Sequence, residues 1–102
     1  MLYRIELQRI VRENMKYRSR TDIVSQMLEA ANGGATKTKI MYKVYLSYAQ
    51  LKEYLSVLKE NNLIEYIEGE RVFKTTAKGL KFVSIYSQVD SLVSPLIPEI
   101  PK

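Results

Sequence analysis

Between Glu29 and Glu53 the chain carries no carboxylate, and in that stretch stand Lys37, Lys39, Lys43 and Lys52. Hydroxyl groups are set among them at Thr36, Thr38 and Ser47. Ammonium and hydroxyl donors in such a run suit an array of anionic oxygens, as on a nucleic-acid backbone. The ordinary reading is a solvated face that keeps the protein soluble, and the missing acids tip the balance toward phosphate. Just beyond, Tyr48, Gln50, Lys52 and Glu53 offer groups that can read base edges. An amide suits adenine, an ammonium suits guanine or a phosphate, and a carboxylate accepts from the cytosine amino group. The same residues also describe a plain solvated helix face. Arg71 can touch one phosphate, but Glu68 and Glu70 beside it oppose deep entry into an acidic minor groove.

Bond-making chemistry finds little material. There is no cysteine and no histidine, which removes disulfides, thiolate metal sites, and the commonest general base and metal ligand. Asp22 and Asp90 are the only aspartates, and neither belongs to a recognisable catalytic motif. No catalytic residue, metal site or cofactor is expected, and the chain reads as a binding protein rather than an enzyme.

Composition sets the scale for the elements that must hold these residues. The 102 residues are 46% hydrophobic and 26% charged, which fits one ordered domain with a small core. The net charge of +5 is unevenly placed. Residues 1–20 and 35–59 each carry +4, whereas residues 60–75 carry −2. No apolar run approaches the roughly 20 residues of a membrane helix, and no signal-peptide pattern opens the chain. A soluble intracellular protein is the expectation.

The best-marked element starts at Ser47. Ser47 and Gln50 have capping-box spacing, and Leu51, Leu55 and Leu58 recur with the period of a core-facing stripe. The spacing predicts a helix of about 14 residues, stopped by Asn61-Asn62. Its outer side carries Ala49, Glu53 and Ser56, flanked by Gln50 and Lys52, while Tyr54 reads as core or rim. Ahead of it, Thr36 to Lys39 leads into a short helix whose apolar side is Ile40, Met41 and Val44, with Tyr45-Leu46 as the turn.

A helix over 21–32, capped by Thr21 or Asp22, buries Ile23, Met27, Leu28 and Ala31, and Asn32-Gly33-Gly34 ends it. Leu63 to Ile67 and Arg71 to Thr75 read as a hairpin turned at Glu68-Gly69-Glu70. Thr76 caps a last helix in which Leu80, Val83, Tyr86 (or Ser87) and Val89 follow helical spacing. Residues 2–17 read as an amphipathic helix on Tyr3, Leu7, Ile10, Val11 and Met15. The stronger pattern begins after Met15, so whether residues 1–14 belong to the native domain stays open. Pro95, Pro98 and Pro101 make 94–102 an extended tail. The expected organisation is an extension over 1–16, one domain over 17–93 and that tail.

The fold class is thus mainly α with a small β-hairpin (α+β). Helix, short helix, turn, capped helix, hairpin, helix is the order of a winged helix-turn-helix, with an extra N-terminal helix. In that arrangement a short helix braces a second one for the major groove and crosses the backbone itself. Eight tyrosines against two phenylalanines suit a dimer interface, with single-strand stacking as another use.

Tyr17 to Tyr86 resembles an archaeal winged-helix family of predicted transcriptional regulators and small dimeric chromatin proteins. The likeness rests on Thr36-Lys37-Thr38-Lys39-Ile40-Met41-Tyr42, on Leu46 to Leu55, on Asn62-Leu63-Ile64 and on Thr75 to Leu80. It implies double-stranded DNA binding, symmetric dimers formed through a C-terminal helix, and no cofactor. Here the last helix ends near Val93 and residues 1–16 are additional, so the N-terminal helix is another candidate for the dimer interface. The expectation is a cytoplasmic, nucleoid-associated homodimer that binds DNA, with no membrane or small-molecule partner. The alternative is a winged-helix protein–protein interaction module without DNA binding.

Overall fold

The computed structural model describes residues 18–93. The helix expected over 2–17 and the proline-containing tail lie outside them. Within them the order is α1 (Arg20–Ala30), α2 (Lys37–Val44), α3 (Tyr48–Glu60), β1 (Ile64–Ile67), β2 (Val72–Thr75) and α4 (Ala77–Val93). The mainly helical class with one small hairpin is as the sequence predicts.

Local side chains fix the helix ends. The cap of α1 is Ser19, not Thr21 or Asp22. Ser19 Oγ accepts from the Asp22 N–H at 3.0 Å, and the Ser19 N–H donates to Asp22 Oδ2 at 3.2 Å. Asp22 therefore closes a capping box from inside the first turn, where its charge also suits the positive end of the helix. At the end of α2, Tyr45 takes φ 59° and the Leu46 N–H reaches the Met41 carbonyl at 3.0 Å. Asn62 does the same after α3, with φ 59° and a 2.9 Å bond from the Leu63 N–H to the Leu58 carbonyl. This is a Schellman closure, and it uses the Leu63 N–H, so β1 begins one residue later than the sequence suggests.

The core lies where the four predicted stripes meet. Met27 and Leu28 of α1, Ile40 of α2, Leu51 and Leu58 of α3 and Ile64 of β1 are fully buried, and Phe73 of β2 closes the hairpin side. Burial of each such aliphatic side chain contributes roughly 1.5–3 kcal/mol, so the α3 stripe alone anchors that helix firmly. The strands pair antiparallel with Ile64 opposite Thr75 and Tyr66 opposite Phe73. Ala35 adds a short third rung by exchanging two 2.8 Å backbone bonds with Phe73. Buried Thr75 ties the hairpin to α1, because its Oγ1 donates to the Leu28 carbonyl at 2.5 Å and its N–H to the Ala31 carbonyl at 3.1 Å. Carbonyls in the last turn of a helix have no helical donor, and Thr75 supplies one.

The hairpin turn departs from expectation at Arg71, which has φ 56° and stands outside the strand. Side chains are strained in that region and glycine is not. Arg71→Gly is therefore expected to stabilise the protein by roughly 0.5–1 kcal/mol, a rise of about 2–6 °C in a thermal melt. An unchanged or lower melting temperature counts against the strain.

Thr76 caps α4 as predicted. Its Oγ1 accepts from the Gly79 N–H at 3.0 Å and donates to the Asn62 carbonyl at 2.7 Å. The helical spacing named for α4 divides between two faces, however. Val83 and Tyr86 turn toward the body, and Tyr86 stacks on Phe82 with centroids 6.2 Å apart. Leu80 and Val89 are exposed, at 42% and 50%, together with Ile85 and Leu92. Helix α4 thus keeps an uncovered apolar side along Ile85, Val89 and Leu92.

Candidate nucleic-acid interface

Helix α3 is set by its two ends and its leucines. Ser47 Oγ accepts from the Gln50 N–H at 3.2 Å, and the Ser47 N–H donates to Gln50 Oε1 at 3.0 Å, so the predicted capping box is complete. Leu51, Leu55 and Leu58 are buried, and Tyr54 is half-buried against the core. Ser47, Tyr48, Gln50, Lys52, Glu53 and Ser56 are all exposed. The capping box limits Gln50. Its amide oxygen is engaged by the backbone, so as folded it offers N–H donors alone, which match purine N7 or guanine O6 rather than a bidentate adenine pair.

Tyr48 is the hub of the site. The residue is 55% exposed, and its ring centroid lies 5.8 Å from Lys37 Nζ and 5.6 Å from Lys52 Nζ. Lys52 stands one turn further along α3, whereas Lys37 is the first residue of α2. Both ammonium groups are attracted by the ring quadrupole, and neither has a carboxylate partner among the described residues. Two like charges gathered on one ring repel each other, and an anion bound there relieves that repulsion.

The remaining predicted residues distribute around α2. Thr36 Oγ1 caps the helix by accepting from the Lys39 N–H at 3.1 Å, which leaves its own proton to donate. Thr38 and Lys39 are exposed. Lys43 is separated from the Tyr48 cluster. Six residues after Lys37 it is turned about 240° around the helix axis, and it lines a different cleft with Arg18, Glu29 and Tyr45. Arg71 is exposed at the hairpin turn with Glu68 and Glu70. The structure thus brings Lys37, Tyr48 and Lys52 together, and leaves Lys43 and Arg71 on other parts of the surface.

Ser56, on the predicted outer side of α3, and Lys59, which the sequence reading missed, adjoin this cluster. Both line a cleft with Lys37 and Lys52. The signal for Lys59 is its place two helical turns after Lys52, the same interval that separates Leu51 from Leu58. Among the described residues no group of three or more His, Cys, Asp or Glu is placed to hold a metal. None of their helices is long and apolar enough to cross a membrane.

A family model described as winged helix-turn-helix matches residues 17–94. No curated protein matches the chain.

Proposed function

Because the chain belongs to the winged helix-turn-helix family, we propose that it binds double-stranded DNA through α3, as a transcriptional regulator or a chromatin-like protein. The observation that carries this reading is the exposed N-terminal half of α3, backed by buried Leu51 and Leu55 and flanked by the Lys37–Tyr48–Lys52 cluster. In helix-turn-helix geometry such a helix enters the major groove with its first turn toward the bases. Tyr48, Gln50, Lys52 and Glu53 then meet base edges or adjacent phosphates, while Thr36, Lys37, Thr38 and Lys39 hold backbone. Ser47 fixes the approach of the helix. Lys43 and Arg71 serve as outlying phosphate contacts.

The functional unit in this reading is a homodimer, whose two α3 helices reach successive major grooves about 34 Å apart. The uncovered apolar side of α4 supports pairing with a second copy. A sedimenting mass of 11.9 kDa throughout the working concentration range removes the dimer. The protein acts in the cytoplasm on nucleoid DNA, without a cofactor.

Duplex titration at two salt concentrations tests the proposal. If six to ten phosphates are neutralised per dimer, affinity falls on the order of a thousandfold or more between 50 and 200 mM salt. Flat salt dependence, or no binding at 50 mM, overturns it. The acidic hairpin turn and the α4 stripe favour a second reading, a protein-interaction module that ignores DNA altogether.

A further inference from the structure

We propose that the cleft between α3 and β2 is a second seat for the sugar–phosphate backbone of a bound nucleic-acid strand, with Ser56 and Lys59 as its contacts. This rests on the DNA-binding reading above and extends the interface beyond the first turns of α3. The cleft is an open recess with a volume of ≈ 390 Å³. Lys37, Lys52 and Lys59 stand around it, Ser56 lies between the two α3 lysines, and Glu60 is its one carboxylate.

Its floor is apolar. Leu55 and Phe73 line the cleft and are buried. Low-polarity groups behind the ammoniums weaken solvent screening on that side, which raises the potential felt by an anion in the cleft. Lys59, like Lys37 and Lys52, is exposed and has no carboxylate partner among the described residues. Three like charges around one recess are held together by the fold, since α2 and α3 are both packed on the core. Acids gather elsewhere, as Asp22, Glu29 and Asp90 line a cleft between α1 and α4. The cleft beside α3 thus carries three lysines to one carboxylate, whereas the α1–α4 cleft carries three carboxylates and no lysine or arginine.

The extent of the lysine array selects the ligand. Lys52 and Lys59 are two turns of α3 apart, about 10 Å along its axis. One small anion reaches one end of that span, whereas consecutive phosphates of a strand reach both. The Ser56 hydroxyl supplies a donor midway, as serine commonly does toward phosphate oxygens.

Fluorescence anisotropy with a labelled random-sequence duplex tests this. Lys59→Gln is expected to weaken binding roughly five- to tenfold at 100 mM salt and to lower the salt slope by about 0.9 per chain. Ser56→Glu, which sets a negative charge in the recess, is expected to weaken binding at least as much. Lys81→Gln on α4 makes the same charge change away from the cleft and is expected to leave the slope in place. Duplex binding that is intact in the original protein and insensitive to Lys59→Gln and Ser56→Glu overturns the cleft alone. Equal losses from Lys59→Gln and Lys81→Gln overturn it too, because net charge then explains both. Failure of the original protein to bind duplex at any salt overturns the cleft and the function on which it rests.

Discussion

Gly79→Ala is expected to destabilise the protein by on the order of 3 kcal/mol or more, a large share of the total stability of a small domain. A Cβ at this position stands 2.2 Å from the Leu63 carbonyl oxygen and 2.6 Å from Thr75 Cγ2. The first obstacle is backbone, so no rotamer change removes it. It cannot move alone either, because the Leu63 carbonyl accepts the Thr76 N–H at 3.1 Å. The first turn of α4 is further pinned to the α3–β1 connection by Thr76 Oγ1 on the Asn62 carbonyl and by Lys78 Nζ on the Asn61 carbonyl at 2.9 Å. Accommodating a methyl group means prying α4 away from β1. Gly69 provides the comparison, since a Cβ there meets nothing within 4 Å and its φ is not in the left-handed region. Gly69→Ala is expected to shift stability by no more than about 0.5 kcal/mol. Denaturant midpoints of the two variants check this, and equal midpoints contradict the close approach.

The second large effect concerns binding. Lys37→Glu combined with Lys52→Glu is expected to lower duplex affinity on the order of a hundredfold or more, about tenfold for each contact reversed. The slope of log affinity against log salt is expected to drop by about 1.8 per chain. Both side chains are exposed, so the melting temperature is expected to stay close to that of the original protein. That pairing of outcomes separates a lost interface from a lost fold. An interaction module that ignores DNA shows no duplex affinity to lose. A variant that binds duplex as tightly as before removes the Tyr48 cluster from the interface.

Much of this arrangement is legible in the sequence because it is local. The Ser47–Gln50 box, the leucine stripe of α3 and the Thr76 cap each involve residues within a turn or two of one another. Ser19 is the instructive exception. Its box is also local, but hydrophobic periodicity starts only at Ile23, and that start draws the expected cap inward to Thr21 or Asp22. Long-range contacts leave no comparable trace. Nothing in the spacing foretells that Thr75 satisfies the Leu28 carbonyl or that Ala35 pairs with Phe73.

The same division governs the candidate site. Lys52 on the Tyr48 ring follows from an interval of one helical turn, while Lys37 arrives there only because the Tyr45–Ser47 turn folds α2 back on α3. Tallying charge along the chain places Lys37, Lys39 and Lys43 in one group, since that count ignores direction around α2. Angular position separates Lys37 from Lys43, and the folded helix sets them in different clefts. The exposed side of α4 reflects a related ambiguity. Apolar residues at helical spacing mark a stripe that is covered by something, and the spacing alone does not identify the cover.

The central claim is that the outward side of α3 meets the duplex. Amide chemical shifts of the isotope-labelled protein, followed through a titration with duplex DNA, test it residue by residue. The account predicts that the largest changes fall on Ser47 to Ser56 and on Thr36 to Lys39, while the buried face of α1 stays still. Changes confined to α4, or none at saturating duplex, would contradict it.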